Sequence, residues 1–147
     1  MSETVTIAAA LCLKDIRVGN AYAFSRTITD EDVHAFAALT GDENPLHCDT
    51  AFAARTQFRQ RIVHGMLAGS LFSTLVGMYC PGRTGLYLSQ TLEFRGPIFP
   101  GELLTIMGTI LEKHESTSLL LIKTEILKGI VVAVSGEARV KVNDALV

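Results

Sequence analysis

The sequence places an aspartate, Asp42, and a histidine, His47, on either side of Asn44-Pro45. It follows them with Ile62-Val63-His64-Gly65-Met66 at the head of a long uncharged run. The residue before a proline is pushed out of the helical region, so Asn44-Pro45 bends the chain and lets the two side chains converge on one solvent molecule. A carboxylate and an imidazole at one water can add that water across a double bond conjugated with a thioester. A base takes a proton from the water and an acid protonates the carbon next to the carbonyl. Burial raises the proton affinity of an aspartate and a nearby carboxylate favours the charged imidazole, so these residue types suit both tasks. Structural ion pairs use the same types, which leaves open a second reading in which Asp42 caps a turn and His47 is a satisfied loop histidine.

The same addition builds negative charge on the thioester oxygen, and fixed donors aimed at that oxygen lower the barrier. If Gly65 opens the apolar helix, its N–H has no intrahelical partner, the helix dipole adds positive potential, and the missing side chain permits close approach. The alternative is that Gly65 only allows a tight entry into the helix. His64 reads as a packing or capping residue rather than a second base.

Several elements must hold these groups still. Thr29 with Asp32 three residues on is a helix-capping pattern, and Val33, Phe36, Ala37 and Leu39 then recur at roughly helical spacing up to a stop near Gly41. Asp42 and His47 are thereby expected on an irregular loop, with a brief helical turn over Thr50 to Arg55. From Gly65 to Tyr79 there is no charged side chain, so a helix there is expected to be wrapped by other elements until Pro81-Gly82 ends it. Beyond that point the apolar period becomes two. Leu86, Leu88, Leu92 and Phe94 share a parity, as do Leu104, Ile106 and Ile110, then Leu120, Ile122 and Ile126, then Ile130 through Val140. Four strands, with a fifth near Ala21 to Ile28, predict an α+β fold in which an antiparallel sheet curls round the apolar helix. The exposed edges of such a sheet make dimerisation a physical expectation.

Bulk properties bound the function. A chain of 147 residues with 48% apolar content fills one core and is expected to form a single domain over 1–147. Thirteen basic against 15 acidic side chains, a net charge of -2 and no basic block argue against a nucleic-acid or anionic-membrane surface. Cys12, Cys48 and Cys80 form neither a disulfide framework nor a zinc-ligand spacing, which fits a reducing, cytoplasmic setting. Met1-Ser2-Glu3-Thr4 lacks the basic start of a secretory signal, and the run from Ile62 to Pro81 carries too many glycines and hydroxyls for a membrane span. No dinucleotide fingerprint is present, so neither a metal nor a redox cofactor is expected.

The ordered series Thr40-Gly41-Asp42, Asn44-Pro45-Leu46-His47, Asp49, Phe52-Ala53, Phe58, Ile62-Val63-His64-Gly65-Met66-Leu67, Ser73, Gly77, Pro81-Gly82, and Phe94 with Pro97 and Gly101 resembles the MaoC-like (R)-specific enoyl-CoA hydratases. The likeness is strongest to the short single-domain type associated with polyhydroxyalkanoate synthesis. Glu102, where the family commonly has aspartate, and Gly96 before Pro97 are peripheral departures. The resemblance implies a hot-dog fold, a homodimer, and reversible syn addition of water to a trans-2-enoyl-CoA to give an (R)-3-hydroxyacyl-CoA. Coenzyme A then enters only as part of the substrate. It also implies that Asp42 and His47 form the catalytic dyad, that Gly65 N–H binds the thioester carbonyl, and that Ser73 stands at the pocket.

Val76 and Val140 are candidates to limit the acyl tail to short or medium length, although core packing explains any apolar residue on a wrapped helix equally well. Arg59, Arg61, Arg83 and Arg95 could each face coenzyme A phosphates or solvent, and none is assigned. Two other activities share these features. A thioesterase also activates water beside a thioester, and a non-catalytic acyl-CoA-binding module would keep the pocket without turnover.

Overall fold

The computed structural model describes residues 7–147; the reading of Met1 to Thr4 lies outside the described residues. Strand β1 (Ala21–Thr27) leads into helix α1 (Asp30–Thr40), the short helices α2 (Pro45–Cys48) and α3 (Thr50–Ala54), and the central helix α4 (Gly65–Thr74). Helix α4 runs on as a π-helical turn over Leu75–Tyr79, closed by Cys80 N–H donating to Leu75 O at 3.0 Å. Strands β2 (Gly85–Gln90), β3 (Glu93–Phe94), β4 (Leu103–His114), β5 (Leu119–Lys128) and β6 (Val131–Val142) follow. They form one antiparallel sheet in the order β1-β4-β5-β6-β2, with β3 also paired to β6. The sheet curls against α4, which is the hot-dog arrangement expected.

The period-two residues of β4, β5 and β6 meet the helix. Leu104, Ile106, Ile126 and Val134 pack with Ala68, Leu71, Phe72 and Leu75 in one cluster, and Phe72 is fully enclosed. Truncating such a phenylalanine typically costs about 3–5 kcal/mol, so this contact dominates the placement of α4. Two expectations need correction. The sheet covers α4 on one side only: Met66 is 60% exposed, and Ser70, Ser73 and Gly77 form the same open face. The large residues Leu71, Phe72 and Leu75 meet the sheet, and the open face is uncharged because it carries small residues and Met66.

The region from Leu86 to Phe94 is not one strand either. It breaks after Gln90, and alternation about Tyr87 leaves Leu86 (61% exposed) and Leu88 (51%) facing outward, with a bulge between Tyr87 and Ser89. Tyr87 faces the core instead, donating its hydroxyl to Gln90 Oε1, and burial pushes that hydroxyl's pKa up to about 12. Among the described residues no helix is long and apolar enough to cross a membrane.

Helix α1 is fixed at both ends as its sequence predicts. Thr29 Oγ1 accepts Asp32 N–H at 3.2 Å and Asp32 Oδ2 accepts Thr29 N–H at 2.9 Å, while Gly41 ends the helix at φ 79°. Asp30, the first residue inside the cap, pairs with Arg61 at 2.6 Å, so the cap also fixes a strut toward the loop that carries His47. The hydrogen bond from the Thr29 amide, aided by the Arg26 guanidinium, holds the Asp32 carboxyl below its ordinary 3.8. A lowered folded value stabilises the fold above the unfolded value and loses that contribution as pH falls through the folded one. Thr29→Ala is therefore expected to lower unfolding free energy by about 1 kcal/mol in urea titrations at neutral pH. The cost of Asp32→Ala is expected to be largest there and to shrink on acidification below 3.8. A cost of Asp32→Ala that does not change with pH would remove the charge from this account.

Candidate active site

Asp42 follows the left-handed Gly41 directly, and its immediate bonds are local. Its N–H donates to Thr40 Oγ1 at 3.2 Å and its Oδ1 accepts Asn44 N–H at 3.3 Å. The expected irregular loop is in part helical. Asn44 caps α2 through Oδ1 to Leu46 N–H at 3.0 Å, and Pro45 occupies the first turn, where its missing N–H costs nothing. Asn44-Pro45 thus both bends the chain and starts the turn that carries His47.

His47 is held from the Ile62 segment. Its Nδ1 lies 2.8 Å from Ile62 O, and a carbonyl can only accept, so Nδ1 carries the proton. Nδ1 keeps that proton whether the ring is neutral or charged, and any exchange falls on Nε2. Leu46 O accepts Ile62 N–H at 3.3 Å, and Arg61 reaches His47 O at 3.4 Å while pairing with Asp30. Arg61 is thereby an internal strut, 17% exposed, rather than a phosphate ligand.

A carboxylate oxygen of Asp42, one nitrogen of His47 and one of His64 all lie within 4.8 Å of one another. Two hydrogen bonds of about 2.8 Å span a little more than that distance, so one water can touch both Asp42 and His47. The Asp42 side chain is 52% exposed, so this chain alone does not bury it. The trio fits a metal poorly. The His64 nitrogen nearest Asp42 is Nε2, 3.0 Å from the Asp42 carbonyl and donating to it, so it turns no lone pair toward the cluster.

Helix α4 starts beside this pair. Its first intrahelical bond is Ala68 N–H to His64 O at 3.1 Å, which leaves the Gly65, Met66 and Leu67 amides ahead of it, and the His64 side chain does not cap them. These groups surround one cavity of about 540 Å³, of a size typical for small ligands. Asp42, His47, His64 and Gly65 lie on its wall. Phe58, Ile62, Phe94, Ile98 and Val134 make it mostly apolar, and Arg95 also faces it.

The structure brings Asp42, His47 and Gly65 together and leaves Ser73, Val76 and Val140 out of the cavity wall. Ser73 stands on the open face of α4. Val76 and Val140 are 2% and 0% exposed in a second core cluster with Ile110, Leu120 and Ile122, where the π-helical turn and the inward face of β6 direct them. Arg83 donates to Leu146 O at 2.9 Å, and Arg95 pairs with Glu93 at 2.6 Å and Ser135 Oγ at 2.7 Å.

Two wall residues were missed in the sequence. His64 is 2% exposed and stacks on His47 with ring centroids 3.9 Å apart, while its Nδ1 is buried without a partner. Phe94 was read as one of a core-facing series, yet it is 53% exposed and lies over Gly65. A Cβ at Gly65 would come 2.8 Å from Phe94 Cε1. That ring is free to swing toward solvent, so Gly65→Ala is expected to fold with stability within about 1 kcal/mol of the parent. A crystal structure of the variant is expected to show the Phe94 ring moved off the helix start. An unmoved ring would mean that Gly65 is not required for this close approach.

The family model described as MaoC like domain matches residues 15–131. An (R)-specific enoyl-CoA hydratase of Aeromonas caviae is 43% identical over 129 residues, covering 87% of this chain and 96% of that one. A 3-hydroxybutyryl-CoA dehydratase of Methylorubrum extorquens is 36% identical over 132 residues, covering 90% and 84%. The solved structure of an (R)-hydratase from A. caviae involved in polyhydroxyalkanoate biosynthesis superposes with a TM-score of 0.85 at 42% identity, covering 88% of this chain and 98% of that one. An unliganded R-hydratase of Pseudomonas aeruginosa gives 0.85 at 35% identity, covering 90% and 85%. With the model spanning most of its length and such relatives matched nearly end to end, this chain belongs to the MaoC-like domain family.

Proposed function

We propose that the protein is a hydro-lyase that reversibly hydrates trans-2-enoyl-CoA to (R)-3-hydroxyacyl-CoA, acting as one domain over 1–147. The observation that carries this reading is the meeting of Asp42, His47 and the opening amides of α4 on one mostly apolar cavity. Hydration needs a water, a proton path to and from it, and a donor for the carbonyl that takes up charge, and these groups supply all three.

The thioester oxygen accepts the Gly65 N–H, and the uncapped start of α4 adds positive potential as the enolate-like charge develops. Asp42 and Nε2 of His47 hold the water between them. Asp42 takes a proton from the water as its oxygen bonds to C3, and the C2–C3 π electrons shift toward the thioester oxygen. His47 delivers a proton from Nε2 to C2 on the same face, and the proton taken by Asp42 passes back to Nε2, so the enzyme is restored and the net change is one H and one OH added. Nδ1 stays on the Ile62 carbonyl throughout. No cofactor takes part, and coenzyme A belongs to the substrate.

The acyl tail lies along Phe58, Ile62, Ile98 and Val134, and this short apolar wall limits it to short or medium length. Val76 and Val140, in a separate core cluster, do not form that wall. Strand β2 ends the sheet and carries the exposed Leu86 and Leu88. A homodimer joined through that edge would satisfy its free backbone groups. Three free cysteines suit a cytoplasmic setting.

The decisive assay follows loss of the conjugated enoyl thioester over a chain-length series, with chiral analysis of the product. Formation of (R)-3-hydroxyacyl-CoA is expected, and free thiol released without hydroxyacyl product would instead make the protein a thioesterase. Asp42→Asn keeps the shape and removes the base, so kcat is expected to fall by about 10²–10⁴-fold with little change in fold. A wild-type rate in that variant would exclude the carboxylate from the chemistry.

A further inference from the structure

His64 is buried at 2% exposure, and its side chain does not cap the helix it precedes. Its polar and ring contacts run instead to the two residues of the dyad. Nε2–H donates to the Asp42 carbonyl at 3.0 Å, and the ring stacks on His47 at 3.9 Å with 29° between the planes. The Phe36 ring of α1 also packs on it, centroid to centroid 4.9 Å.

Packing alone does not account for an imidazole here. With Nε2 protonated toward a carbonyl, Nδ1 is left buried and unpartnered, and an apolar ring of similar size would fill the space without that penalty. The bond to Asp42 differs in kind from that residue's other hydrogen bonds. Thr40 and Asn44 lie two residues to either side of Asp42 and tie the loop only to itself, whereas His64 is 22 residues away and ties it to the start of α4.

We propose that His64 is a positioning residue for hydration. It fixes the Asp42 backbone and the His47 ring in one arrangement, and does so from the residue that immediately precedes the Gly65 amide. The inference rests on the dyad reading above. Acid, imidazole and carbonyl donor then share one rigid support, and a shift of any of them by about 1 Å costs on the order of 10²-fold in rate. His64 itself exchanges no proton with substrate, because Nε2 is spent on the Asp42 carbonyl and Nδ1 is enclosed.

Two variants of the full chain separate its two contacts. His64→Phe keeps a stacked ring and loses the donor. His64→Gln loses the ring and can return an N–H near the place of Nε2. With trans-2-enoyl-CoA as substrate and rates normalised to folded protein, His64→Phe is expected to lower kcat by about 10–100-fold, with KM changed by no more than about twofold. His64→Gln is expected to recover part of that loss even where its thermal midpoint is the lower of the two, which a purely structural role would not produce.

Asp42→Asn is measured alongside. His64→Phe at wild-type kcat beside an inactive Asp42→Asn would overturn the positioning role and leave the dyad standing. Wild-type kcat in Asp42→Asn would overturn the dyad reading itself. A loss that vanishes on normalising to folded protein, or one confined to KM, would make His64 a packing residue only.

Discussion

The site depends on the four residues from Ile62 to Gly65, which carry the chain from the loop of α2 into the buried helix. Their backbone has to satisfy its polar groups at a point where the sheet, the loop and the helix start all crowd together. It does so by bonding outward in both directions. Ile62 takes the His47 Nδ1–H on its carbonyl and gives its own N–H to Leu46, and Val63 donates to Ile98 O at 2.8 Å. The imidazole that faces the cavity is thus oriented by a carbonyl whose neighbour is tied to the connection between β3 and β4.

Rigidity for this segment comes from the core. Helix α4 cannot slide, because Phe72 and Leu75 are enclosed among Leu104, Ile106 and Ile126, and the amides at its start therefore point in a fixed direction. Helix α2 cannot drift, because Arg61 spans from Asp30 to His47 O and the cap on α1 holds Asp30. Exposed ion pairs contribute little by themselves, but Arg61 is mostly covered, and its two contacts lock the relative placement of two elements that share few others.

Much of this was legible in the sequence, and what was not has physical reasons. The capping box at Thr29 and Asp32, the stop at Gly41 and the start of α4 at Gly65 are local signals, written in a few adjacent residues. The site residues Asp42, His47 and Gly65 followed from local chemistry and from resemblance. The faces of β2 and β3 did not, because period two gives a parity but not which side is inside. Leu86 and Leu88 fall on the outer face, and the break after Gln90 lets Leu92 pack on the core while Phe94 stays half exposed. Val76 and Val140 were weighed between the acyl tail and core packing, and spacing alone could not decide between them; the π-helical turn and the inward face of β6 direct both into a separate cluster. The role of His64 was invisible because its partners, Asp42 and His47, are 22 and 17 residues away and meet it only in the fold.

The features that cost stability are gathered in one place. An uncapped helix start, a buried nitrogen without a partner, a large aromatic ring left half in solvent over a glycine, and two imidazoles stacked face to face all border the same cavity. Each runs against what a chain selected only for stability would choose. Capping the helix would occupy the donor amides, and an apolar residue for His64 would fill its space without the orphaned nitrogen. Elsewhere the helix starts follow those rules, with α1 boxed, α2 and α3 capped by Asn44 and Asp49, and the first half of β4 alternates against the helix. Costly features gathered at one cavity fit the hydration proposed there, since groups kept free for a substrate cannot also be satisfied by the protein.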